Sequence, residues 1–124
     1  MEIIRLKFSA KPSLIPANSM VVVMTLDEKG KNYTAEFENG LSEKQDEPPS
    51  LPKCVLNAFT ENAINKILSK DEIPNESGMM VLDGYSYTIT ITKGGMSKEY
   101  YADDASIETY PLLRYLASWC RRRR

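Results

Sequence analysis

Seventeen carboxylates, seven tyrosines, two cysteines and no histidine are the side chains with which this chain could do chemistry. The missing histidine removes the commonest general base, the Ser-His and Cys-His nucleophile pairs and most zinc sites. Cys54 and Cys120 lie far apart and in no C-x-x-C, so their spacing writes neither a redox motif nor a disulfide framework. Both fall on expected helices beside apolar stripes. That reads as ordinary core thiols, with an inter-helix disulfide as the second reading. No phosphate-binding G-x-x-x-x-G-K-[ST] or G-x-G-x-x-G occurs, and Gly94-Gly95 reads as a hairpin turn.

Paired carboxylates could still act as acid and base, as in glycoside hydrolysis. Asp103-Asp104 and Asp27-Glu28 are the candidate pairs. Adjacent side chains at a turn or cap point apart, so both pairs read as capping and solvation. Glu36 and Glu38 belong to the polar face of a strand. We therefore expect no catalytic residue, no metal ligand and no cofactor.

Binding chemistry is better represented. Tyrosine suits places where one end of the side chain is apolar and the other wet. Most of the seven should line the edge of a core. Tyr101 should look outward wherever Tyr100 looks inward, which makes it a candidate anchor for a partner. The stretch from Glu36 to Glu47 sets Glu36, Glu38, Glu43, Asp46 and Glu47 against Lys44, a second candidate contact that could steer a basic partner. The net charge of −1 conceals this layout, because four of the 16 basic residues are Arg121 to Arg124. The remaining twelve against 17 acids leave the body at −5. An acidic body argues against a broad nucleic-acid face. The arginine run reads first as a solvated helix end and second as a phosphate contact.

The elements that must position these residues follow from periodicity. Glu2 to Phe8 reads as a strand, with Ile4, Leu6 and Phe8 on one face and Arg5 and Lys7 on the other. Pro12 and Pro16 make the next stretch a loop. Ser19 to Leu26 is apolar on both faces, which predicts a strand covered on both sides or central in its sheet. After the turn Asp27-Glu28-Lys29-Gly30, Tyr33, Ala35 and Phe37 alternate with polar residues in a third strand. A polar loop, residues 39–49, leads to one amphipathic helix expected from Ser50 to about Ser69. Met79 to Leu82 is a short strand. Asp83-Gly84 then turns into the clearest alternation in the chain, Tyr85, Tyr87, Ile89 and Ile91 against Ser86, Thr88, Thr90 and Thr92. A further strand around Tyr100 and a helix from Pro111 to the arginines complete the order βββα-βββα. An ungapped shift of 67 positions overlays Ser19 on Ser86, Thr25 on Thr92, Lys31 on Lys98, Tyr33 on Tyr100 and Ala35 on Ala102, five identities in 17 positions. We read this as a trace of duplication.

The expectation is thus a single α+β domain, residues 1–124, with a mostly antiparallel five- or six-stranded sheet and two helices packed on one face. The longest apolar run, Met20 to Met24, is far short of a membrane span, and the N-terminus shows no secretory signal. A reduced, cytoplasmic protein is expected, as a monomer or homodimer.

The segment from Asp83-Gly84-Tyr85 to Tyr100, followed by Tyr110-Pro111-Leu112-Leu113 and Leu116, resembles a pattern of small bacterial domains in which a helix follows a hairpin. The overall build is similar to the immunity proteins of bacterial contact-dependent and related polymorphic toxin systems. That resemblance implies a small binding protein that neutralises a toxin by covering its active site, and it carries no particular site residues. A carboxylate-dependent enzyme and a nucleic-acid adaptor acting through Arg114 and the C-terminal arginines are the alternatives.

Overall fold

The computed structural model describes residues 3–12, 19–37, 51–70, 85–103 and 106–122. Strand β1 (Ile4–Pro12) is formed by strict alternation. Ile4, Leu6, Phe8 and Ala10 are fully buried, while Arg5, Lys7 and Lys11 are exposed. Strand β2 (Met20–Asp27) buries Met20, Val22 and Met24 and leaves Val21, Val23 and Thr25 half-buried. It turns through Glu28-Lys29 into β3 (Gly30–Phe37), and Gly30 closes that turn at φ 120°, a backbone state only glycine adopts without strain. Strands β4 (Tyr85–Lys93) and β5 (Met96–Asp103) form a second hairpin around Gly94-Gly95.

The five strands form one open antiparallel sheet in the order β3-β2-β1-β4-β5. The N-terminal strand is therefore the centre, and a hairpin flanks it on each side. The strongly apolar β2 lies inside the sheet, between β3 and β1. Among the described residues this is an α+β protein with three helices, α1 (Lys53–Ala58), α2 (Glu61–Leu68) and α3 (Pro111–Arg122). Their apolar residues join the inward residues of the strands in one core cluster. Helix α3 contributes Leu112, Leu113, Leu116, Ala117, Trp119 and Cys120, and it neighbours α1 and β1.

Two expectations need correcting. The helix anticipated from Ser50 to Ser69 is two helices, broken at Phe59 and Thr60. Phe59 leaves helical geometry at φ −80°, ψ 87°, and is buried. Thr60 is extended, and its hydroxyl oxygen accepts from the Ala63 amide at 3.1 Å, starting α2 with Glu61 in its first turn. The apolar stripe continues in phase across the break, so periodicity alone passes over it; the Thr60-Glu61 start signal does not. Second, Cys120 is buried but Cys54 is exposed, because the single buried side chain of the short α1 is Val55. The two cysteines are not joined in a disulfide. The expected strand at Met79–Leu82 and the Asp83-Gly84 turn lie outside the described residues.

The faint repeat has a structural meaning. Lys31 and Tyr33 on edge strand β3 are matched by Lys98 and Tyr100 on edge strand β5. On β3, the Lys31 ammonium donates to the Leu56 carbonyl, and the Tyr33 hydroxyl accepts from the Leu51 amide at 3.2 Å. On β5, the Lys98 ammonium donates to the Lys70 carbonyl at 3.2 Å. The Tyr100 hydroxyl approaches the carbonyls of Ile67 and Lys70 at 3.2 and 3.0 Å. Each edge strand therefore ties itself to the helical region by one Lys-x-Tyr pair; on β5, the Tyr100 hydroxyl shares the Ile67 carbonyl with the Lys70 amide just past the end of α2. The register is not conserved: Tyr33 stands opposite Met24, whose repeat equivalent is Ile91, whereas Tyr100 stands opposite Ile89. Tyr100→Phe is expected to lower stability by about 1–2 kcal/mol in denaturant unfolding. An unchanged midpoint would show that the clamp contributes nothing net.

Candidate functional site

Side chains alternate across a strand, so burial of one set leaves the other on the opposite face. The register places that second set in rows. From β3 to β5, the first reads Asn32, Thr25, Arg5, Thr92 and Ser97. The second reads Thr34, Val23, Lys7, Thr90 and Glu99. The third reads Glu36, Val21, Ser9, Thr88 and Tyr101, and Lys11, Ser86 and Asp103 begin a fourth. Every described side chain in these rows is exposed or half-buried.

This face has three chemical parts. The column of Arg5, Lys7 and Lys11 runs down the central strand. Rows of threonine and serine flank it, with Thr92 and Ser97 hydroxyls 3.3 Å apart across the β4–β5 hairpin. Val21 and Val23 add a small apolar patch toward β3. At the β5 edge stands Tyr101, 70% exposed beside the almost fully buried Tyr100. Ile3, 60% exposed, precedes the column.

Of the site residues expected from sequence, Tyr101 belongs to this face directly. Glu36 is placed by register opposite Val21. Glu38, Glu43, Asp46 and Glu47 lie outside the described residues. Sequence reading passed over Arg5, Lys7 and Lys11, although their i, i+2, i+6 spacing on an alternating strand was the available signal. What it lacked was the knowledge that this strand is central.

Two of the candidate catalytic acids, Asp27 and Asp103, have structural work. The Asp27 carboxylate accepts from the Lys29 amide at 2.9 Å and braces the β2–β3 turn. The Asp103 carboxylate accepts from both the amide and the hydroxyl of Ser106 at 2.8 Å, and Ser106 Oγ in turn accepts from the Asp103 amide at 2.8 Å. Asp104 lies outside the described residues. No group of three His, Cys, Asp or Glu side chains that could hold a metal occurs among the described residues.

Two of the depressions lined by described residues lie away from the open face. One, of about 350 Å³, sits between α2 and the start of α3 and is lined by Ala63, Ile67, Tyr110, Pro111 and Leu112. Its cation, Lys66, is already engaged: the ammonium donates to the Thr109 carbonyl at 3.2 Å and lies 5.7 Å from the centre of the Tyr110 ring. The other, of about 530 Å³, is shallow and lies where the β4–β5 turn meets the end of α2. There Lys93 donates to the Asn65 side chain at 2.8 Å and pairs with Glu61 at 3.6 Å.

The architecture is that of an α+β protein built on an open five-stranded antiparallel sheet. No family model, curated protein or solved structure matches the chain. No helix among the described residues is long and apolar enough to cross a membrane.

Proposed function

We propose that this chain is a non-enzymatic protein-binding module. Its helices pack against one face of the sheet, and it docks through the other. Its most concrete form is an immunity protein that neutralises a bacterial toxin by covering the toxin's active site. The observation that carries this reading is the open face itself: a broad sheet surface with exposed cations, half-buried valines and one exposed tyrosine. Such a surface offers area and complementarity for a protein, with an aromatic anchor at its margin. Among the described acids, Asp27 and Asp103 are engaged at turns and Glu61 pairs with Lys93, which supports binding over bond-making. In this reading Glu38, Glu43, Asp46 and Glu47 steer the approach of a basic rim on the partner.

The test is co-expression of the full chain with the product of the neighbouring gene. A complex that survives dilution is expected. Thr90→Trp, at the centre of the open face, should weaken it by about tenfold or more, as bulk at the heart of an interface does. Asn57→Trp, on the exposed side of α1, should leave it intact. Absence of any complex, or a complex sensitive to Asn57→Trp and indifferent to Thr90→Trp, overturns the reading.

A further inference from the structure

We infer that the partner surface received by this face is acidic at its centre, a cluster of aspartate or glutamate side chains that sits on the Arg5–Lys7–Lys11 column. The inference rests on the protein-binding reading and adds the chemistry of the partner. All three cations are exposed and stand on the strand farthest from either sheet edge. None makes an ion pair or side-chain hydrogen bond among the described residues. Two acids stand in their rows, each two strands away: Glu99 opposite Thr90, itself opposite Lys7, and Asp103 opposite Ser86, itself opposite Lys11, with the Asp103 carboxylate engaged by Ser106. Two strand spacings separate Glu99 from Lys7, about 9–10 Å, too far for a direct pair. The column itself spans about 20 Å along the strand. Three like charges in a line repel one another, and an acidic surface laid across them removes that repulsion while the flanking hydroxyls supply donors and acceptors.

The same observations weigh against other occupants. A second copy stacked face to face would set the column against its own charge. Single-stranded nucleic acid needs aromatic platforms for its bases. The aromatic side chain on this face among the described residues is Tyr101, at the outer strand, and the central rows are threonine, serine and valine. A protein with an acidic centre and a basic rim fits both the column and the acids that follow β3. An active site built from carboxylates inside a basic cleft has that pattern.

The test uses the full chain and three probes: a synthetic polyglutamate peptide, polylysine and polyuridylate, with amide chemical shifts as the readout. Polyglutamate should move amides of β1, β2 and β4, and more weakly at higher salt. Arg5→Glu with Lys7→Glu should weaken this binding by about tenfold or more, and Arg5→Gln with Lys7→Gln by a smaller factor. Melting curves confirm that both variants fold. No polyglutamate shift on these strands, equal or tighter binding of polyuridylate there, stronger shifts with polylysine, or a concentration-dependent dimer that buries the face would each overturn the inference. With the partner from the neighbouring gene the two readings separate. Loss of binding in Thr90→Trp but not in Arg5→Glu with Lys7→Glu overturns the acidic centre and leaves protein binding standing. Loss in neither overturns both.

Discussion

Phe8→Ala is expected to destabilise the protein by about 3–5 kcal/mol. Phe8 is fully buried and lies between Val22 on one side and Ile89 on the other, at the middle of the central strand. Its ring stacks on Tyr87 with centroids 5.3 Å apart. Truncation removes the transfer free energy of the ring and leaves a void whose walls are three different strands, none free to move without disturbing a ladder. A domain of this size has a total stability of about 5–15 kcal/mol, so one substitution should remove a large share of it. Denaturant unfolding reads the effect, with Lys7→Ala as the neighbour control, expected within about 0.5 kcal/mol. A loss below about 1.5 kcal/mol would mean that the core around β1 can collapse around the gap, contrary to its packing.

Ser9→Pro should cost about 2–4 kcal/mol, although Ser9 sits on the open face and its side chain is half-buried. Ser9 is paired with Val21 of β2 and Thr88 of β4. Whichever neighbour its amide faces, that strand loses a donor, and a carbonyl in the ladder is left without one. The ring then obstructs the close approach of the strands. Ser9→Thr, which keeps the amide and suits a strand, should be neutral within about 0.5 kcal/mol. Thermal melts of the two variants settle it: equal melting temperatures would mean that β1 is not held on both sides.

These two expectations mark where sequence reading succeeds and where it stops. Alternation in Ile4 to Phe8 and in Tyr85 to Ile91 named the buried face of each strand, because a two-residue period leaves no other assignment once one set is apolar. The Glu28-Lys29 and Gly94-Gly95 turns and the amphipathic stripe of α3 were equally legible. The break at Phe59-Thr60 does not show in the periodicity because the helical stripe stays in phase through it, and the capping chemistry of Thr60 outweighs propensity over two residues. The same stripe places Cys54 in a core, yet a helix as short as α1 buries little more than Val55.

The candidate site was legible only in pieces. Tyr101 could be found because its neighbour Tyr100 had to turn inward. Arg5, Lys7 and Lys11 could not be recognised as a set, since an alternating basic strand is equally at home at an edge, where charges are commonplace. The Lys31/Tyr33 and Lys98/Tyr100 matches appear in the sequence as a trace of duplication, and their common task of tying the two sheet edges to backbone groups in or beside the helices appears only in three dimensions.

From its amino acids alone this chain is an α+β domain of two-residue strand patterns, without histidine chemistry and with an acidic body. Those properties depend on local sterics, side-chain alternation and a count of charges. The tertiary structure decided that β1 is central, that two hairpins flank it, and that three exposed cations, without an ion pair among the described residues, share one face of the sheet. Strand order is set by contacts between residues far apart in sequence, whose free energy depends on which faces close on each other; no local pattern in the chain encodes that choice.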